Sequence, residues 1–239
     1  MKPFITLEQK KILVVGASTG IGAAIAAGCA ELGAQVYAAA RGNCSFEHPS
    51  ISSIKVDVRN HDQLRELVQK IEPVDGFVYS AGRTGLSPIN ALDGAMYQDV
   101  MDTNLNGYLF TLKELFRARK MKNSGSIVAV SSIAAHTGTE GLTPYTVSKA
   151  GVSGVTRVLG RELARRRIRV NALSPAMVRT PFFEKDGPDY LNDIEKRVYP
   201  MGMGKPEDVA AAAIFYLSDR SNYITGTDLL MTGGCIWVE

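Results

Sequence analysis

A short apolar run that ends on glycines limits this fold more than any other feature. Ile12-Leu13-Val14-Val15 leads straight into Gly16-Ala17-Ser18-Thr19-Gly20-Ile21-Gly22. Four consecutive apolar residues suit a strand covered on both faces, as in a parallel sheet. After the glycines, apolar positions recur at Ile21, Ile25, Gly28/Cys29 and Leu32 on one helical face, and Gly33 stops the pattern. The alternation then repeats. Strands are expected at Val36–Ala40, Ile54–Val56, Gly76–Tyr79, Ser126–Val130, Ile168–Ala172 and Asp228–Met231. Helical spacing falls at Leu105, Leu109, Leu112 and Phe116, at Val152, Val155, Leu159 and Leu163, and from Pro206 to Leu217.

Strands alternating with helices predict a parallel sheet with helices on both faces. The expectation is an α/β chain forming a single doubly wound Rossmann-type domain over 1–239, with a seven-stranded parallel sheet. Residues 41–53 leave too little room for a full crossover helix between the second and third strands. Residues 175–205 form a long Pro/Gly-punctuated insertion, and such insertions usually serve function.

Composition narrows the classes of function. With 27 basic against 24 acidic residues among 239, a net +3, the chain does not read as a nucleic-acid binder. The run Arg165-Arg166-Arg167 reads as a solvated helix end, where cations suit the dipole. A 45% hydrophobic content excludes disorder. Three cysteines and three histidines lack metal-ligand spacing, so no metal and no disulfide framework is expected. Without an apolar leader or a membrane-length apolar stretch, the sequence predicts a cytoplasmic protein with no membrane partner.

The glycines follow G-x-x-x-G-x-G spacing between a strand and a helix. There they let the backbone approach a pyrophosphate at the helix N-terminus, although tight strand–helix packing alone would also call for them. At the end of the second strand stands Arg41, where an acidic residue would grip a ribose 2′-hydroxyl. An arginine there suits a 2′-phosphate, so NADP(H) is preferred and NAD(H) stays possible; Arg41 as an ordinary surface arginine is the plain alternative. Asp57 and Val58, after the third strand, are placed to meet an adenine ring, with a turn or capping Asp as the alternative.

Tyr145 and Lys149 are four apart on one helix face. An ammonium beside a phenol stabilises the phenolate and lowers a pKa that is otherwise about 10. Ser132 ends an apolar strand, where its hydroxyl can reach a substrate oxygen, although serine at a strand end is also ordinary turn chemistry.

Taken together these motifs resemble the short-chain dehydrogenase/reductase family, in its subgroup of about 250 residues, nearly from end to end. The family's glycine motif corresponds to Val15–Gly22, and its N-A-G segment to Ser80-Ala81-Gly82. Its active-site Asn corresponds to Asn104, its catalytic Ser to Ser132 and its Y-x-x-x-K pair to Tyr145 and Lys149. Its R-V-N-x-x-x-P-G-x-x-x-T segment corresponds to Arg169–Thr180. Four positions depart from the family pattern, Val15, Ser80, Ala176 and Thr232, and none belongs to the Asn-Ser-Tyr-Lys set.

The resemblance implies hydride transfer between a nicotinamide and a carbonyl or alcohol carbon. Tyr145 exchanges the proton, Ser132 polarises the substrate oxygen and Lys149 holds the nicotinamide ribose. Asn104 distorts its helix to hold a water leading to Lys149. Gly16, Ser18, Thr19, Gly20, Ile21, Gly22, Ser80, Ala81, Gly82, Pro175, Val178 and Thr180 join Arg41, Asp57 and Val58 around the cofactor. The family's habit also implies a homodimer or homotetramer built on residues 103–120 and 146–165.

The substrate lid is expected over 181–205, with Met177, Phe182, Phe183 and Tyr190 at an apolar substrate and His136 lining the pocket. Local packing or a subunit contact is the alternative for each of them. The expected activity is an NADP(H)-dependent carbonyl reductase acting on a small to medium apolar carbonyl or alcohol. An NAD-dependent alcohol dehydrogenase and a silent cofactor-binding sensor are the rivals.

Overall fold

The structure, a computed structural model, describes residues 3–44, 46–181 and 187–235. The sheet has seven parallel strands, as the alternation predicts, and they lie in the order β3-β2-β1-β4-β5-β6-β7. They are β1 (Lys11–Val15), β2 (Gln35–Ala40), β3 (Ile51–Lys55), β4 (Val74–Tyr79), β5 (Met121–Val130), β6 (Arg169–Pro175) and β7 (Asp228–Met231). The helices are α1 (Gly20–Glu31), α2 (His61–Lys70), α3 (Gly94–Met101), α4 (Gly107–Arg117), α5 (Thr143–Glu162), α6 (Pro188–Val198) and α7 (Pro206–Leu217). Among the described residues no helix joins β2 to β3, which matches the short crossover expected there.

Both faces of the sheet are covered, which is why β1, β4 and β5 tolerate apolar runs such as Ile12–Val15, Phe77–Tyr79 and Ile127–Val130. On one face Leu13, Phe77 and Ile127 pack with Leu64 and Leu67 of α2, Leu112 of α4 and Val152 of α5. On the other, Ile12, Val14 and Val128 pack with Ile25 and Cys29 of α1 and with Val209 and Ala213 of α7. The Arg169-Val170-Asn171 segment holds the far edge. Buried Arg169 donates to the Tyr216 and Ser218 carbonyls at 2.6 and 3.1 Å, and Asn171 Nδ2 to the Ile224 carbonyl at 2.9 Å.

Between α3 and α4 the chain widens into a π turn over Asp102–Asn106. Such turns place one residue more than an α turn and often occur at functional sites. Tyr79 anchors this one from the core, its hydroxyl donating to the Thr103 carbonyl at 2.5 Å. The sequence pattern runs smoothly through Leu105 and Leu109 and gives no sign of the widening.

Candidate active site

The strand order reverses between β1 and β4, the place at which doubly wound sheets open a crevice beyond the carboxyl ends of their strands. Gly16 leaves β1 with φ +86°, and a Cβ there would stand 2.3 Å from the backbone nitrogen of Ala81. A Cβ on Gly22 would lie 2.1 Å from the Gly16 carbonyl oxygen. Packing against the segment after β4 therefore demands Gly16, and the closeness of the turn to the start of α1 demands Gly22, whatever else they serve. Ser80 N–H donates to the Val15 carbonyl at 2.8 Å and closes this contact.

The signal for a ligand lies at the start of α1. Thr19 is its N-cap but makes no side-chain capping bond, and the first turn carries no acidic residue. The leading N–H groups thus keep their donors and the dipole its positive end, a set that fits the pyrophosphate of a dinucleotide. Ser18, Gly20 and Ile21 are half-buried in the same turn. A methyl on Gly20 would touch Thr180, which links the turn to the segment after β6.

Arg41 is exposed at the end of β2 and has no ion-pair partner among the described residues. Asp57 is engaged within the protein. Its carboxylate takes Arg59 in a two-pronged contact, Nε at 3.0 Å and Nη2 at 2.6 Å, and Arg59 reaches on to Asp99 at 2.6 Å. Arg59, with a smaller effect from Arg41, holds the Asp57 carboxyl below its usual range. The Val58 side chain is buried in the core. Arg59 carries no motif in the sequence; its place two residues beyond Asp57 was the available sign.

Ser132, Tyr145 and Lys149 come together above β5. Ser132 follows the strand and caps a short 3₁₀ turn, Ile133–Ala135, by accepting from Ala134 N–H at 3.2 Å. Pro144 sits in the first turn of α5, and Tyr145 and Lys149 lie one turn apart. The Ser132 hydroxyl stands close enough to the Tyr145 phenol to act on its pKa. Lys149 is buried, its Nζ 5.7 Å from the Tyr145 ring centre and donating to the Val130 carbonyl at 2.8 Å.

Burial lowers the Lys149 ammonium to about 8. Burial also raises the Tyr145 phenol, and the Ser132 hydroxyl offsets part of that rise. The lowering expected from Lys149 is not among the causes acting on the phenol, and burial dominates.

Asn104 is fully buried on the π turn. Its Nδ2 donates to the Arg83 carbonyl and to Ser148 Oγ, both at 2.9 Å, and its Oδ1 accepts from Arg83 N–H at 2.8 Å. The side chain thus ties the segment after β4 to α5. A Cβ on Gly82 would stand 3.4 Å from Lys149 Nζ and 3.6 Å from Asn104 Oδ1, so that glycine keeps the space between them clear. Ser148, which the sequence did not single out, completes the tie by donating to the Tyr145 carbonyl at 2.7 Å.

The cofactor and substrate positions after β6 divide. Pro175 and Val178 are buried, and Val178 bridges to Gly204. Met177 packs against a small cluster of Leu191, Tyr199 and Met203. Tyr190 is 52% exposed on α6, away from that cluster. His136 turns its Nε2 to Asp228 on β7 at 2.9 Å, with Ser174 Oγ at 3.4 Å. Phe182 and Phe183 lie outside the described residues. Within the 175–205 insertion Arg179 pairs with Glu195 of α6 and donates to Asn192 Oδ1 at 3.0 Å.

Comparison with known proteins agrees with this geometry. The family model described as enoyl-(acyl carrier protein) reductase matches residues 16–235. A 3-oxoacyl-(acyl-carrier-protein) reductase of Chlamydia pneumoniae is 36% identical, over 96% of this chain and 98% of its own. An acetoacetyl-CoA reductase of Synechocystis is 35% identical, over 95% and 96%. Among solved structures, the ligand-free aldohexose dehydrogenase of Thermoplasma acidophilum superposes with a TM-score of 0.88 at 29% identity, over 95% and 94%. A short-chain type dehydrogenase/reductase of Mycobacterium marinum gives 0.88 at 31% identity, over 96% of each chain. The family match over residues 16–235 and the similarity along nearly the whole of these relatives show that the chain belongs to the short-chain dehydrogenase/reductase family, oxidoreductases that interconvert CH–OH groups and ketones.

Proposed function

We propose that the protein is an NADP(H)-preferring reductase of 3-oxoacyl thioesters and similar small to medium apolar ketones, with Asn104, Ser132, Tyr145 and Lys149 as its working set. The observation that carries this reading is the meeting of Ser132 with the Tyr145 phenol, with buried Lys149 Nζ 5.7 Å from the ring centre. Similarity to the 3-oxoacyl-(acyl-carrier-protein) and acetoacetyl-CoA reductases supports the substrate class. Exposed, unpaired Arg41 supports a 2′-phosphate and hence NADP(H).

When bound, the dinucleotide supplies the hydride. Gly16, Ser18, Thr19, Gly20, Ile21 and Gly22 cradle its pyrophosphate, while Ser80, Ala81, Gly82, Pro175, Val178 and Thr180 flank it. Ser132 Oγ donates to the substrate oxygen and fixes it beside Tyr145. The phenol, protonated at neutral pH because burial raises it, gives its proton to the nascent alkoxide. Lys149 then stands one turn below a developing phenolate, where its ammonium is favourable. Protons return to Lys149 along the space that Gly82 leaves beside Asn104 Oδ1.

Residues 181–205 act as the lid, with Arg179 and Glu195 fastening it. Exposed Val147 and Val158 on α5 support assembly as a homodimer or homotetramer. The test is loss of NADPH absorbance with acetoacetyl-CoA, set against NADH and against an aldohexose with NADP⁺. Turnover with acetoacetyl-CoA and NADPH is expected. Turnover only with the sugar and NADP⁺ would replace this reading.

A further inference from the structure

We infer that Asp228 is a positioning residue for Ser132, holding both flanks of the serine's turn from the neighbouring strand β7. The inference rests on the reading of Ser132 as the donor to the substrate oxygen. Asp228 opens β7, and its side chain is 8% exposed. Its Oδ2 accepts from two groups at once, Ser153 Oγ on α5 and His136 Nε2 at 2.9 Å. Ser153 Oγ in turn lies 3.0 Å from Ser131 Oγ. Ser131 immediately precedes Ser132, and His136 closes the 3₁₀ turn that Ser132 opens. One carboxylate oxygen therefore gathers the residue before Ser132 and the residue that ends its turn.

Counting protons shows how the chain of bonds must run. Ser153 has one hydroxyl proton and spends it on the acceptor-only carboxylate. The Ser131–Ser153 contact then uses the Ser131 proton, which Ser131 shares with the Lys149 carbonyl at 3.0 Å. The same network thus touches the main chain of Lys149 and both sides of Ser132. Asp228 Oδ1 is buried with no hydrogen-bond partner, one of two such side-chain atoms among the described residues. An unpaired oxygen on a buried carboxylate is costly, and a cost of that kind points to a task beyond filling space. Ser131, Ser153 and Asp228 belong to none of the motifs by which the sequence is recognised. Their neighbourhood arises only when β7 pairs with β6 and α5 packs across both.

A misplacement of about 1 Å at a reacting group costs about 10²-fold, so loosening these anchors should register at Ser132. The experiment compares wild type, Asp228→Ala, Asp228→Asn, Ser132→Ala and the Asp228→Ala/Ser132→Ala double variant, with acetoacetyl-CoA and NADPH as the probe. Backbone amide spectra of each cofactor-free protein give a reading independent of turnover. Asp228→Ala is expected to lower kcat about 10- to 100-fold with the KM for NADPH unchanged. Asp228→Asn, which keeps an acceptor oxygen, should recover most of the loss. The double variant should be no slower than Ser132→Ala, because a residue acting through Ser132 has nothing left to act on.

The amides of Ser131, Ser132 and His136 should move in Asp228→Ala and stay in place in Asp228→Asn. Unmoved amides in Asp228→Ala, or a further slowing of Ser132→Ala as large as that of wild type, overturn the inference. If wild type turns over neither ketone nor alcohol, the functional reading fails, while the amide shifts still decide whether Asp228 holds the turn. Should Asp228→Ala not fold, Ser153→Ala and His136→Gln cut the two arms separately. Each should displace the Ser132 amide, and displacement by neither overturns the inference.

Discussion

Lys149 Nζ is hydrogen-bonded to the Val130 carbonyl at 2.8 Å, which fixes the lysine to the end of β5 one residue before the Ser131-Ser132 pair. The ammonium is therefore placed by the sheet, not by a carboxylate. No acidic side chain is among the causes acting on its pKa, and burial alone brings it down to about 8. A lysine in that state changes charge close to neutral pH.

The first prediction follows from the proton assignment. Tyr145→Phe should lower kcat by at least about 10³-fold and Ser132→Ala by about 10²-fold, the range for loss of a positioned proton donor or oxyanion partner. NADPH affinity, measured by fluorescence titration, should stay within about threefold of wild type. A Tyr145→Phe protein with full turnover would remove Tyr145 from the chemistry.

The pH dependence follows from the buried lysine. Reduction needs Tyr145 protonated, which burial secures, and Lys149 charged, which fails as pH rises through about 8. The reductive kcat/KM should fall above about 8, and Lys149→Arg, which stays charged, should move that fall to higher pH. Stability carries the same signature. The folded pKa lies below the unfolded value of 10.5, so the folded protein binds fewer protons between about 8 and 10.5 and is stabilised across that window as pH rises. Measured against Lys149→Met by chemical denaturation, wild type should gain up to about 3 kcal/mol between pH 7 and pH 10.5. A gap that does not change with pH would show that Lys149 titrates normally.

Arg41 should discriminate between cofactors. Arg41→Asp is expected to weaken NADPH about 10- to 100-fold through loss of a charge-assisted contact and gain of a repulsion, while NADH affinity holds or improves. Equal losses for both cofactors, read from binding titrations, would withdraw the 2′-phosphate from Arg41.

Gly16 and Gly42 make a matched pair for stability. A Cβ on Gly16 would strike Ala81 N at 2.3 Å with φ at +86°, whereas a Cβ on Gly42 meets nothing within 4 Å. Gly16→Ala should destabilise by more than about 4 kcal/mol, into the range where folded protein is lost. Gly42→Ala should change the denaturation midpoint by less than about 0.5 kcal/mol equivalent.

Much of the architecture was legible because periodicity survives in the elements the sheet buries. Asp228–Met231 and Pro206–Leu217 occur with the bounds their patterns predict. Helix α2 escaped notice although Leu64, Leu67 and Val68 mark its buried face and Asn60 caps it, accepting from Asp62 and Gln63 N–H. Its polar residues outnumber those three, so the segment looked like a connection. Ser132, Tyr145 and Lys149 could be read from spacing and resemblance together. Asn104 came from resemblance alone, since a π turn leaves no trace in an apolar repeat. The contacts of Asp57 with Arg59 and of His136 with Asp228 depend on which side-chain rotamers meet, and the second spans 92 positions of sequence. No local pattern encodes such a meeting.

The π turn also sets the tolerance of this stretch to changes in length. Asp102–Asn106 carries one surplus residue in what would otherwise be a continuous helix from α3 into α4. Deleting a single residue there would make the backbone hydrogen bonding more regular and, by local criteria, give a better helix. It would also rotate one half against the other by about 100°. Asn104 would then swing off Ser148 and Arg83, and the Tyr79 hydroxyl would lose Thr103. Length in this segment is under a constraint that helix propensity would never reveal: the shorter, tidier chain is the one that loses its grip on α5.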